Sequence, residues 1–283
     1  MSQAELPDHP TIMHKYLRSH KKFPHVWCPG CGNGIILGSI IRAIDAIGWD
    51  KDDIALVSGI GCSGRMPVYV DFNTLHTTHG RALAFATGLK LANPRLNVLV
   101  VMGDGDALAI GGNHFIHAAR RNINLTTIII NNSTYGMTGG QHSPTTPTSH
   151  LATTAVYGNL EQPFDVARLA EVAGAPFVAR GTVYHVLELD RLLEQAMLKK
   201  GFSVVEIISN CHVQYGRMNK LGSAVDMLKW QRDNTVPIHA KAEGDTRIPR
   251  GVLVDKELPE YVEEYQRLVA RLRDEAARAE IPS

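Results

Sequence analysis

Five short runs of apolar, largely β-branched residues recur along this 283-residue chain, at 54–58, 97–102, 125–130, 177–179 and 203–208. Between them lie segments with the spacing of amphipathic helices. Ile36, Leu37, Ile40, Ile41, Ile44 and Ile47 fall on one helical face, and Gly48 stands where a C-terminal cap belongs. Further helices are predicted over 80–92, closed by Asn93-Pro94, and over 109–121, 165–173 and 184–200. Apolar runs without polar alternation suit strands buried on both faces, and their alternation with helices suits a parallel sheet. The fold class expected is α/β, a mostly parallel sheet with helices on both faces, complete by about Asn210. Residues 1–215 form this domain. From Gly216 the pattern loosens, so residues 216–283 are read as a C-terminal arm packing on a partner, with one helix carrying Tyr261, Tyr265, Leu268 and Leu272. No internal repeat is present.

Composition excludes several classes. Lys and Arg number 29 against 28 Asp and Glu, so no net charge draws the chain to nucleic acid or to an anionic membrane. The apolar runs fall far short of the ~20 residues that a membrane span needs. The N-terminal 24 residues have no apolar core of a secretory signal. The expected location is cytoplasmic, where structural disulfides are rare.

Ligands of open parallel sheets bind beyond the carboxyl ends of the strands. The residues standing there are Gly59-Ile60-Gly61-Cys62-Ser63-Gly64-Arg65, Gly103-Asp104-Gly105-Asp106, Asn131-Asn132 and Cys211, which should converge on one edge. Each alone could be an ordinary turn. Together, Asp104 and Asn131-Asn132 bring hard oxygen donors to neighbouring strand ends, as magnesium requires, and the glycines beside Asp104 let backbone approach a diphosphate. The loop 131–150 is long for a compact domain and is read as a site loop. Here the sequence resembles the diphosphate-binding domain of thiamine diphosphate enzymes, whose motif runs from Gly-Asp-Gly to Asn-Asn. That resemblance implies magnesium held by the side chains of Asp104 and Asn132 and by the main-chain carbonyl of Thr134.

Cys28 and Cys31 form a C-x-x-C pair, while Cys62 and Cys211 are remote in sequence and each follows a strand. Four thiolates suit either tetrahedral zinc or an iron–sulfur cluster. A zinc ribbon would show two compact pairs, so the spacing favours the cluster. A cluster beside this motif resembles the β subunit of 2-oxoacid:ferredoxin oxidoreductases, through Cys28-Pro29-Gly30-Cys31-Gly32, Gly59-Ile60-Gly61-Cys62-Ser63, His79-Gly80-Arg81, Gly103-Asp104-Gly105-Asp106, Asn131-Asn132 and Tyr135-Gly136-Met137-Thr138-Gly139-Gly140-Gln141. The Cys-Ser-Gly-Arg and Gly-Met-Thr-Gly-Gly-Gln forms look most like the 2-oxoglutarate branch; a pyruvate-specific relative and a zinc-bearing non-catalytic subunit are the alternatives.

The resemblance implies a thiamine diphosphate-binding fold and a set of site residues. Gly61, Cys62, Ser63, His79, Gly103, Asp104, Gly105, Asp106, Asn132, Thr134, Gly136, Met137 and Thr138 would bind the cofactor. Cys28, Cys31, Cys62 and Cys211 would hold a 4Fe-4S cluster. His79 and Arg65 are the catalytic candidates, although Arg65 could equally serve a structural salt bridge. His76 reads as a loop residue, and His114 with His117 as ordinary packing. The expected reaction is oxidative decarboxylation of a 2-oxo acid, with coenzyme A taking the acyl group and ferredoxin the electrons. An α subunit in an α2β2 assembly would supply the glutamate that activates the cofactor. Lys15, Arg18, Lys21 and Lys22 are a candidate ferredoxin-docking stretch.

Overall fold

The computed structural model describes residues 11–19 and 24–279. A short helix α1 (Ile12–Tyr16) precedes α2 (Asn33–Ile47), and an eight-stranded sheet then builds up through β1 (Ile54–Ser58), β2 (Asn73–His76), β3 (Asn97–Gly103), β4 (Leu125–Asn131), β5 (Phe177–Thr182) and β6 (Phe202–Ile208). Helices α3 (Ala82–Ala92), α4 (Gly112–Arg121), α5 (Val166–Val172) and α6 (Val186–Leu198) connect these strands. The C-terminal part adds α7 (Ala224–Asn234), β7 (Thr235–Pro237), β8 (Ile248–Asp255) and α8 (Tyr261–Ala279). No helix among the described residues is long and apolar enough to cross a membrane.

The strand order is β2-β1-β3-β4-β6-β5-β8-β7, with the first six mutually parallel and β8 antiparallel to β5. The sheet is therefore not complete at Asn210, and the segment beyond Gly216 contributes two of its strands. Both escape a reading by apolar runs. β8 opens Ile-Pro-Arg-Gly and is only half-buried along most of its length, and β7 has three residues. The edge strand β2, Asn-Thr-Leu-His, is equally mixed and was not expected. Edge strands bury less side chain, so their sequences carry less of the apolar signal.

Alternation along the central strands feeds two cores. Ile54 and Leu56 of β1 join Leu99, Val101, Ile128 and Ile130 under α2 and α6, whereas Ala55 and Val57 join Val98, Val100, Met102 and Ile129 under α3, α4 and α5. Ile36, Ile40, Ile41 and Ile44 of α2 are fully buried, each worth roughly 1.5–3 kcal/mol of transfer free energy. Gly48 ends α2 in the left-handed conformation at φ 77°, as its position predicts. The chain leaves β1 toward β2 and returns on the other side to β3, so the sheet reverses direction between β1 and β3. A crevice opens at such a point, at the carboxyl edge.

Asn122 ties the C-terminal part to this body. It ends α4 at φ 53°, its Oδ1 accepts from Phe202 N at 2.8 Å, its Nδ2 donates to Pro259 O at 2.8 Å, and its own carbonyl accepts from Tyr261 N. An Asn122→Ala variant loses both side-chain bonds and a longer one from Nδ2 to Leu258 O at 3.4 Å, in a left-handed position. Unfolding in urea should show a loss of roughly 2–4 kcal/mol, and proteolysis should begin near residues 256–262.

Candidate active site

Every cofactor-binding residue singled out from the sequence lines one cavity of about 200 Å³ at the carboxyl edge. Four loops build it: 60–63 after β1, the loop after β2 through His79, 103–106 at the end of β3 and 132–138 after β4. Asn33 at the start of α2, Ile60, Ile130 and Tyr135 line it as well and were not foreseen. Tyr135 had a signal, since it opens the Tyr-Gly-Met-Thr run; Asn33 had none, because α2 is far away in sequence. The Tyr135 hydroxyl donates to Gly105 O at 3.1 Å. A Cβ on Gly105 would lie 2.3 Å from the Tyr135 ring, so only glycine lets these two loops close on one another.

Asp104 is fully buried. Ser143 Oγ and Thr145 Oγ1, both from the long loop after β4, donate to its Oδ2 at 2.5 and 2.6 Å. Even with these donors, burial pushes Asp104 up to about 6, because its partners are hydroxyls and backbone amides rather than a basic side chain. Beside it on the cavity wall stands Asn132, whose Oδ1 also accepts from Thr134 N at 3.3 Å. A buried carboxylate lacking a protein counter-charge, next to an amide oxygen, is an oxygen donor set that fits a hard divalent cation. Ser143 and Thr145 were not named in advance, although the composition of their loop marked it as functional.

Asp106 does different work. Its Oδ1 accepts from His79 Nδ1 at 2.6 Å, Gly80 N at 2.6 Å and Ile60 N at 3.4 Å, binding together the loops after β1 and β2. Burial raises its pKa, and its Oδ2 is buried without a partner among the described residues. Gly59 leaves room for that oxygen, since a Cβ there would lie 1.8 Å from it. With Nδ1 of His79 held, Nε2 is the ring nitrogen left to meet a bound molecule. Arg65 is exposed on the 3-10 turn after Cys62 and is absent from the cavity wall. His76 binds Ser58 Oγ through Nδ1 at 2.9 Å, which gives it a local structural role.

The four cysteines are free thiols, Cys28 exposed and the others half-buried. Burial pushes Cys31 and Cys62 up to about 11, and neighbouring thiols push the same way: Cys211, Cys62 and Cys28 on Cys31, and Cys211 and Cys28 on Cys62. Coulombic influence falls with distance, so all four share one neighbourhood. A Cβ on Gly136 would stand 3.3 Å from Cys211 Sγ and 3.8 Å from Cys62 Sγ. Gly136 and Cys62 also line the cavity, so the thiols share a wall with it. Among the described residues no three His, Cys, Asp or Glu converge as closely as a single ion requires. In the basic N-terminal stretch, Lys15 pairs with Asp45 at 2.9 Å and Arg18 donates to Val70 O and Thr74 Oγ1. Lys21 and Lys22 lie outside the described residues.

Residues 59–207 match the family described as thiamine pyrophosphate enzyme, C-terminal TPP binding domain. The chain is 46% identical over 272 residues to 2-oxoglutarate synthase subunit KorB of Methanocaldococcus jannaschii, covering 94% of this chain and all of that one. It is 60% identical over 196 residues to the KorB subunit of Archaeoglobus fulgidus, covering 69% of this chain and 73% of that one. Among solved structures, the 2-oxoglutarate:ferredoxin oxidoreductase from Magnetococcus marinus with 2-oxoglutarate, coenzyme A and succinyl-CoA bound superposes with a TM-score of 0.84. That match has 33% identity and covers 95% of this chain and 96% of the other. With the Gly-Asp-Gly and Asn-Asn loops closing on one cavity in a fold of this kind, the chain belongs to the thiamine diphosphate-binding enzymes and, among them, to the family of 2-oxoglutarate synthase KorB subunits.

Proposed function

We propose that this chain is the cofactor-bearing β subunit of a 2-oxoglutarate:ferredoxin oxidoreductase. The overall reaction converts 2-oxoglutarate, coenzyme A and two oxidised ferredoxins into succinyl-CoA, CO2, two reduced ferredoxins and a proton. The observation that carries this reading is the wall shared by the thiols and the cavity: Cys62 and Gly136 belong to both, so a redox centre would lie next to the reacting carbon.

Asp104, Asn132 and the Thr134 carbonyl would hold magnesium, which binds the diphosphate. The flanking Gly103 and Gly105 let the main chain approach it closely. His79, oriented by Asp106, would present Nε2 to the reacting side. Cys28, Cys31, Cys62 and Cys211 would hold a 4Fe-4S cluster, for which soft thiolates are the suited donors. When bound, thiamine diphosphate supplies the electron sink for decarboxylation, and the cluster accepts the electrons singly. Arg65, exposed on the turn after Cys62 and outside the cavity wall, would pair with a carboxylate of an incoming substrate.

The glutamate that activates the cofactor is assigned to an α subunit, in an α2β2 assembly working in the cytoplasm. An unpartnered apolar surface supports this assignment. Tyr157 and Leu160, beyond the site loop, are almost fully exposed, and Tyr265, Leu268 and Leu272 form an exposed seam on α8. Residues 216–283, although they complete the sheet, would therefore also face the partner. Ferredoxin docking is assigned to the N-terminal basic stretch, through Lys21 and Lys22 together with the partly engaged Lys15 and Arg18.

Purified without oxygen together with its partner, the protein should show the visible absorption of an iron–sulfur cluster, reduced on adding 2-oxoglutarate and coenzyme A and far less by pyruvate. In Cys211→Ala the cluster signal should be lost or degraded. Colourless protein containing zinc would overturn the proposal. Gly105→Ala drives a methyl group against Tyr135, and calorimetric titration should show thiamine diphosphate affinity at least about tenfold weaker with the circular dichroism spectrum unchanged.

A further inference from the structure

The hydroxyl that holds Asp104 belongs to a chain of polar contacts reaching across three strands. Thr145 Oγ1 lies 2.9 Å from Asn131 Oδ1 as well as 2.6 Å from Asp104 Oδ2. Asn131, the last residue of β4, donates through Nδ2 to Glu206 Oε1 on β6 at 2.8 Å. Glu206 Oε2 accepts from Arg180 Nε on β5 at 2.7 Å, and Arg180 Nη2 donates to Asp165 Oδ1 at 2.5 Å. Arg180 and Glu206 are register partners in the sheet and are 5% and 3% exposed.

An ion pair inside a sheet gives little net stability, because removing both charges from water offsets most of their attraction. Two apolar side chains would pack there as well. What an apolar pair could not do is orient Asn131. A carboxylate only accepts hydrogen bonds, so Glu206 turns the Asn131 NH2 toward β6 and its carbonyl toward Thr145, where that carbonyl also accepts from Ser133 N at 3.3 Å. The single Thr145 hydroxyl proton then faces two acceptors, Asp104 Oδ2 and Asn131 Oδ1, so the orientation of Asn131 sets how strongly Thr145 holds Asp104. With Ser143 it pins a single oxygen of Asp104, which fixes the plane of the carboxylate.

We infer that Glu206, paired with Arg180, is a positioning residue for the divalent-cation site, acting on Asp104 through Asn131 and Thr145. The inference rests on Asp104 being a magnesium ligand, as proposed above. Outer partners of ligating carboxylates typically change metal affinity by 10–100-fold. The relay ends at Asp165, half-exposed at the start of α5, where it also caps the helix by accepting from Arg168 N.

The test is calorimetric titration of thiamine diphosphate into the full chain with its partner subunit, at a series of Mg2+ concentrations. In Glu206→Gln the Mg2+ needed for half-maximal binding should rise about 10–100-fold, while the cofactor bound at saturating Mg2+ stays at the wild-type amount. A merely structural role would instead lower the folded, binding-competent fraction at every Mg2+ concentration. Asp165→Asn keeps the helix cap and leaves the Glu206–Asn131 bond in place, so its Mg2+ requirement should stay within about twofold of wild type. Should Glu206→Gln not fold, Asn131→Ala breaks the same relay at a strand end while Glu206 keeps Arg180, and the same rise is expected. If Asp104→Asn is impaired but the relay variant matches wild type, the relay is wrong. If Asp104→Asn also matches wild type, the metal site itself is wrong and the relay falls with it.

Discussion

Six strands running the same way leave all their carboxyl ends on one edge, and the Gly-Asp-Gly and Asn-Asn loops, Cys62 and Cys211 all follow strands there. A parallel strand cannot return by a hairpin, so each must be followed by a crossover, and the loop opening each crossover is free of the sheet's pairing requirement. The reversal between β1 and β3 parts two of those loops and makes room for a ligand. Gly59–Ser63, Gly103–Asp106 and Asn131–Thr138 meet in one cavity for this reason. Nothing in the local sequence of any one loop demands it.

Burial of acidic groups on this edge is the energetic burden that accompanies function. Asp104, Asp106 and Glu206 are all nearly inaccessible, and each is compensated differently. Glu206 has a full counter-charge in Arg180. Asp106 has backbone amides and His79, yet keeps one oxygen without a partner among the described residues. Asp104 has only hydroxyls and amides, so burial wins and pushes it up to about 6. A carboxylate without a counter-charge would gain from a cation beside it, which is the role proposed for Asp104. The thiols follow the same logic: burial first, and neighbouring thiols second, raise Cys31 and Cys62, and a centre that binds thiolates would relieve both.

The C-terminal segment shows why an element can be real without being legible. β8 pairs with β5 through a register shift between Val178 and Ala179, and α8 is fastened through Asn122 and through Glu260, which accepts from Asn124 N. These are backbone and polar contacts between residues 71 to 137 positions apart, with little periodic burial to announce them. The same α8 leaves an apolar seam in solvent, so it both completes one layer and offers a face to another chain.

What the amino-acid sequence determined by itself was local and repetitive. Central strands were readable because burial on both faces demands unbroken apolar runs, and α2 was readable because a helix against a sheet needs its apolar stripe and a left-handed cap. The Gly-Asp-Gly and Asn-Asn residues were legible because close backbone approach and hard oxygen ligands admit few residue types. Only the tertiary structure decided that Ser143 and Thr145 grip Asp104, that Asn33 and Tyr135 wall the cavity, that Arg65 stays outside it and that Asn131 is turned by Glu206. Those facts depend on which strands are neighbours. Strand order is set by packing among distant helices and leaves no trace in the spacing of any single segment.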